Sequence, residues 1–373
     1  MKIGIESQRI FRKGKHGMDV VAMELVKQVQ LIDTQNEYLL FAREGEDKGW
    51  LTPSSNLKTI FLKGFTYPGW EQLSLPAAVK KHRPDLLHCT ANTAPYSCPV
   101  PMVVTVHDVI YIEETTFGGT AYQDVGNLYR KLVVPRAIRN ATKIITVSEY
   151  EKRVIVDVCK TDPEKIEVIH NGVSERFHPH FTAEDLRRFR KQYNLPEKFI
   201  FFFGNTAPKK NTIGAIKAYV DYCSMANEPL PVVIGDYAPS LVEKILRKLN
   251  RADLMKHFHL PGYISSLQMP LLYNCASVFI YPSLRESFGL PVLEAMACGT
   301  PVITSDIPAL REIAGEAAVF VDPDQPAQIA EKIHFLLSAG NASGFVQKGL
   351  ERVKMFSWQS SAEKLIELYN KIL

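Results

Sequence analysis

Apolar positions along this chain gather in short runs of β-branched and aromatic residues, with longer stretches of helical character between them. The first runs occupy 2–5, 38–42, 57–62, 85–89, 101–106, 143–147 and 166–169. A second series begins at 199–203 and continues through 231–234, 258–260, 278–281, 301–304 and 318–321. Such alternation predicts a parallel sheet wrapped by helices, built twice. Ser148 with Glu151 and Thr182 with Asp185 have the spacing of capping boxes, which places helices after both. The turn-rich stretch 170–180, containing Asn171, Gly172 and Pro179, falls between the two series. It marks an interdomain linker, with residues 1–174 as the first domain and 175–356 as the second. The closing segment 357–373 carries Ala362, Leu365, Ile366, Leu368, Tyr369 and Ile372 near helical spacing.

Composition narrows the class. A chain of 373 residues exceeds what one hydrophobic core usually organises. With 46% hydrophobic and 23% charged residues it is globular throughout. The net charge of +4 is spread evenly, 23 basic against 21 acidic residues through position 180 and 21 against 19 beyond it. That is not a nucleic-acid-binding profile. No apolar stretch suits a membrane span and the N-terminus enters a strand directly, so a cytoplasmic protein is the expectation. The six cysteines are far apart and form no C-x-x-C pair, and Cys298, in an apolar helical run, reads as core.

Ligands of open α/β sheets bind beyond the carboxyl ends of the strands, so polar residues there carry the functional signal. The segment 283–301 follows a strand and opens a helix. With Pro291 suited to the first helical position, the amides of Gly289 and Leu290 would lie at a helix N-terminus that favours a phosphate. Glu286 precedes that helix and Glu294 lies one turn inside it, so one carboxylate can meet the group bonded to the phosphate and the other a ribose. Two isolated glutamates are ordinarily solvated, and spacing alone leaves both readings open. Lys209 and Lys210 follow a strand end and could meet a leaving diphosphate. His107 ends another strand, where Asp108 could fix its tautomer or cap the next segment. A lone histidine is ordinarily structural. The loop 14–18, with Gly14 and Gly17 ahead of a helix capped by Asp19, lacks the G-x-G-x-x-G dinucleotide fingerprint. Asp322-Pro323-Asp324 spells the metal-binding D-x-D of another fold, but it precedes a helix start where aspartate is an ordinary cap.

Segments 36–41, 106–108, 145–149, 171–173, 208–211 and 283–301 together resemble retaining glycosyltransferases of family 4, whose hallmark is an E-x7-E region. The similarity covers nearly the whole chain and is greatest to mannosyltransferase-like enzymes of polysaccharide and O-antigen synthesis. It implies an α/β GT-B fold of two Rossmann-like lobes facing across a cleft, with the C-terminal helix crossing back to the N-terminal, acceptor-side lobe. By this resemblance Glu286 contacts the donor sugar, Glu294 holds the ribose, and the amides near Phe288, Gly289 and Leu290 approach the pyrophosphate. Lys210 matches the phosphate-binding lysine. Asn205 stands where some members carry an arginine and Ala207 replaces an acidic residue, with Lys209 as the compensating cation. Pro291 has no N–H, so any family contact through that amide is missing. His107 would face the donor sugar, and Gly17 would approach the donor phosphates.

The implied chemistry uses no metal and no resident cofactor. A nucleotide-sugar co-substrate, GDP-mannose first and UDP-sugars next, gives a hexosyl group to a saccharide or lipid-linked acceptor with retention. A lipid-linked acceptor would bring the protein to the inner face of the membrane as a peripheral partner. The basic stretches 80–83 and 130–139 suit that surface or simple solvation equally. A GT-B-like epimerase or phosphorylase, and a non-catalytic nucleotide-sugar-binding subunit, are the competing readings.

Overall fold

The computed structural model describes residues 1–14, 17–47, 49–113 and 121–373, the side chains of 121–125 excepted. The chain divides into two units, Met1–Gly172 with Trp358–Leu373, and Val173–Ser357.

In the first unit the strands are β1 (Lys2–Glu6), β2 (Glu37–Ala42), β3 (Leu57–Phe61), β4 (Leu86–Cys89), β5 (Met102–Thr105), β6 (Lys143–Thr146) and β7 (Ile166–Val168). They form one sheet in the order β3-β2-β1-β4-β5-β6-β7, with every named pairing parallel. Ile3 lies opposite Tyr38 on one side and Leu86 on the other. Parallel strands are covered by helices on both faces, so their residues are apolar without alternation. β4, β5 and β6 are accordingly buried almost end to end. Ser148 caps the helix Glu149–Cys159 by accepting from the Glu151 amide at 3.0 Å.

The C-terminal helix Trp358–Ile372 belongs to this unit. It buries Ala362, Leu365, Leu368 and Tyr369, and the Tyr369 hydroxyl is hydrogen-bonded to His88 Nδ1 at 2.6 Å. His88 Nε2 in turn meets Thr105 Oγ1 at 2.7 Å. Burial, with His107 nearby, pushes His88 down to about 3, so the imidazole is neutral.

The second unit repeats the scheme with β8 (Ile200–Phe203), β9 (Val232–Gly235), β10 (Phe258–His259), β11 (Val278–Tyr281), β12 (Val302–Ser305) and β13 (Val319–Val321). Their order is β10-β9-β8-β11-β12-β13, again all parallel. Phe201, Phe279 and Tyr273 pack ring to ring in its core. Thr182 and Asp185 form the full capping box ahead of the helix Ala183–Gln192. Val173 pairs with Ser357, so the two ends of this unit lie side by side. The boundary is therefore two residues earlier than the turn composition places it.

Each sheet has a switch point where strand order reverses, between β1 and β4 and between β8 and β11. Open parallel sheets bind ligands at such points because the loops on the two sides diverge there. Among the described residues no helix is long and apolar enough to cross a membrane.

Candidate functional site

The β8–β11 switch point brings together two loops distant in sequence. After β8 the chain needs Gly204, because a Cβ there would lie 2.2 Å from Cβ of Tyr237. The loop is then tied down internally. Thr212 Oγ1 accepts from the Asn205 amide at 2.9 Å and donates to the Asn205 carbonyl at 2.7 Å, while Asn205 Oδ1 accepts from the Ala207 amide at 2.8 Å. The Asn205 side chain thus folds onto its own loop. A single 3-10 turn, Pro208–Lys210, follows. The Lys209 carbonyl accepts from the Leu284 amide at 2.7 Å and staples this loop to the one after β11.

Lys210 crosses that junction. Its Nζ donates to Glu286 Oε1 at 2.5 Å and to the Tyr281 hydroxyl at 2.9 Å, and the same hydroxyl donates to Glu286 Oε1 at 2.8 Å. Burial works against the ammonium charge, but the Tyr281 hydroxyl and the Glu286 carboxylate outweigh it and hold Lys210 above its ordinary value. Tyr281 is buried and pushed above its ordinary value, chiefly by that burial, so its hydroxyl stays protonated. Of the two lysines, Lys210 supplies the side-chain cation to Glu286, whereas Lys209 supplies main chain.

Beyond Glu286 the chain turns at Gly289, whose φ of +106° strains any other residue and where a Cβ would lie 2.5 Å from Leu310 Cδ2. Gly289 is the N-cap of the helix Leu290–Ala297 and offers it no side-chain acceptor. The Leu290 amide therefore has the setting that suits an anion, whereas Pro291 has no N–H and the Val292 amide donates to the Gly289 carbonyl at 3.0 Å. Leu290 takes the first helical position and Pro291 the second, one place later than expected, because the left-handed glycine ends the loop just before Leu290. Phe288 is buried, edge-on to Phe356. Glu294 receives the Tyr273 hydroxyl at 3.1 Å. Burial raises its carboxyl from 4.5 to about 7, against the pull of the Arg176 guanidinium and the Tyr273 hydroxyl. Ser283 and Ser305, past β11 and at the end of β12, are buried with hydroxyls that have no hydrogen-bond partner among the described residues.

In the first unit His107 follows β5 and is buried. Its Nε2 donates to the Thr90 carbonyl at 2.9 Å, and its amide donates to Asn92 Oδ1 at 2.6 Å. Thr90 rather than Asp108 thus fixes the tautomer, because the loop after β4 lies against the ring. Burial lowers the ring below its ordinary value, only partly offset by that carbonyl, and leaves Nδ1 as an acceptor. Glu6, at the end of β1, is pushed up to about 7, chiefly by burial. Gly17 is exposed and opens the helix Gly17–Ile32. Lys15 and His16 of the glycine loop lie outside the described residues. Asp19 does not cap that helix but lies inside its first turn, paired with Arg9 at 2.9 Å and Arg12 at 2.5 Å.

Asp322 accepts from the Asp324 amide at 2.9 Å in a local turn, and Gln325, not either aspartate, precedes the helix Pro326–Leu337. The structure therefore brings Lys210, Glu286, Gly289 and Glu294 into one unit and His107 and Gly17 into the other. Composition and motif spacing did not single out Tyr281, Arg176 or Asn92. The αL backbone of Asn92, at φ +66°, is a tertiary feature without a local signature.

Residues 17–177 match the family model described as Glycosyltransferase Family 4, and residues 184–344 match Glycosyl transferases group 1. The O-antigen chain mannosyltransferase B of Escherichia coli is 28% identical over 65% of this chain and 64% of its own length. The O-antigen chain mannosyltransferase RfbU of Salmonella typhimurium is 29% identical over 70% of this chain and 66% of its own. The match thus spans just under two thirds of either relative. Among solved structures, Anabaena HepE in complex with UDP and glucose superposes over the full length of both chains, with a TM-score of 0.75 at 18% identity.

Proposed function

The chain belongs to glycosyltransferase family 4 and has its GT-B fold, and on that footing we propose that it moves a hexosyl group from a nucleotide-diphosphate sugar to a saccharide or lipid-linked hydroxyl. The observation that carries the proposal is the Lys210, Tyr281 and Glu286 cluster at the switch point of the second sheet, one helix start away from Gly289. A diphosphate leaving group needs positive charge and N–H donors placed before it departs. Lys210 and the Leu290 amide beyond Gly289 supply both. Glu286 supplies an acceptor for a sugar hydroxyl beside that lysine, and Glu294, one turn down the helix, an acceptor for a ribose diol.

Our reading of the transfer is retaining. The bond to phosphate breaks through an oxocarbenium-like state, and the acceptor hydroxyl attacks on the same face and passes its proton to the departing phosphate. His107, neutral and with Nδ1 as an acceptor, would accept from a sugar hydroxyl. The mannosyltransferase relatives support GDP-mannose as donor, and the UDP complex of HepE supports a UDP-sugar as the next choice. No resident cofactor enters this scheme.

The test is product analysis. The protein is incubated with GDP-mannose or UDP-glucose and a lipid-linked saccharide extract, and proton NMR follows the anomeric proton. A glycoside of donor configuration with release of nucleoside diphosphate supports the reading, and an inverted product sinks the retaining step. Rearranged nucleotide sugar without acceptor points to an epimerase, and a sugar phosphate formed only with inorganic phosphate points to a phosphorylase.

A further inference from the structure

We propose that Tyr281 is a positioning residue of the donor site, one that fixes which oxygen of Glu286 faces the sugar and restrains Lys210 until a diphosphate arrives. The inference rests on the donor-site reading above. Its basis is the closed ring of three hydrogen bonds: Lys210 to Glu286 at 2.5 Å, Lys210 to Tyr281 at 2.9 Å and Tyr281 to Glu286 at 2.8 Å. Both bonds to the carboxylate fall on Oε1, and among the described residues none is made to Oε2. A carboxylate whose one oxygen is held from two sides cannot rotate freely, so Oε2 keeps a constant direction as an acceptor.

Tyr281 suits this task because its own position is overdetermined. It closes β11 opposite Thr304 of β12, its ring stacks on Phe279 at 5.8 Å, and the Lys210 ammonium lies 5.2 Å from the ring centroid. The side chain is 5% exposed. Two of the three N–H groups of Lys210 are committed within the ring. A diphosphate can take the third N–H or draw the lysine from Glu286, and in either case the Tyr281 hydroxyl still holds Oε1. Donor binding and carboxylate orientation are thereby separable, and Tyr281 bears on the second.

Calorimetric titration of GDP with GDP-mannose, and of UDP with UDP-glucose, tests this on wild type, Tyr281→Phe and Lys210→Ala. Phenylalanine keeps the ring and its packing, and a thermal melt checks the fold. For the pair that binds, Tyr281→Phe is expected to leave the nucleoside diphosphate constant within about threefold while weakening the sugar nucleotide about tenfold. Lys210→Ala is expected to weaken both alike. An unchanged ratio in Tyr281→Phe, or an equal loss of both ligands, overturns the positioning role and leaves the donor reading standing. Absence of binding by the wild type to any of the four overturns both.

Discussion

Lys210 Nζ lies 2.5 Å from Oε1 of Glu286, although 76 positions separate them in the chain. Glu286 thus holds the cation of the site, and a diphosphate would share or compete for it. Replacing Lys210 by alanine should lower turnover by about a hundredfold or more, equivalent to roughly 2.7–4 kcal/mol for one lost donor to a departing oxyanion. Lys210→Arg should not restore it, because a planar fork does not fit a point-charge position. Steady-state release of nucleoside diphosphate measures both.

Glu294 binds pH to the nucleotide. Its carboxyl is raised to about 7 by burial, and a ribose diol donates best to the ionised form. Affinity for GDP-mannose, whose diphosphate does not titrate in this range, should rise as pH climbs through about 7, with proton release on binding. Glu294→Gln should weaken binding and flatten the profile, as read by titration in buffers of different ionisation enthalpy.

Gly289→Ala should destabilise the second unit by about 2 kcal/mol, since an L-residue in the left-handed region costs about 1–2 kcal/mol before the contact with Leu310 is counted. Urea denaturation gives the number. The same variant should weaken nucleotide binding, because the Leu290 amide moves with the cap.

His88 and Tyr369 make the first unit acid-sensitive. Histidine in the unfolded chain takes up a proton near 6.5, but the buried ring resists to about 3. Stability should therefore fall as pH drops through that window, where the unfolded state binds more protons. Glu6 and Glu294, with raised values, act in the opposite sense between 4.5 and about 7, so the comparison is between wild type and His88→Asn. Tyr369→Phe leaves His88 Nδ1 buried without its partner and should cost about 1–3 kcal/mol, measured at pH 7.

Asn92 braces the other candidate residue. It holds the His107 amide at 2.6 Å from a backbone φ of +66°. Asn92→Ala should cost about 2–3 kcal/mol, combining the lost hydrogen bond with an unfavourable αL alanine. Asn92→Gly should cost less, because glycine relieves the backbone strain alone. Thermal melts of the two variants separate the contributions.

Every strand expected from the sequence is present within a residue or so, from Lys2–Glu6 to Val319–Val321. Parallel strands are legible because burial on both faces demands unbroken apolar runs such as Ile200–Phe203. Lys210 and Glu286 were legible through the family resemblance, since their places after such runs left the solvated reading open. Tyr281 was not, because a tyrosine closing an aromatic strand looks like core until Lys210 arrives from another loop. Arg176 was hidden in the same way, its bearing on Glu294 depending on a fold contact rather than on spacing. The position of Asp19 shows the converse: a local capping rule lost to two arginines.

The most direct test of the central claim is calorimetric titration of GDP-mannose and UDP-glucose into wild type, Lys210→Ala and Glu294→Ala. The account predicts that one of the two donors binds the wild type and that each substitution weakens it at least tenfold with the fold intact. A donor that binds all three proteins equally would contradict it, since the nucleotide would then occupy some place other than the β8–β11 switch point.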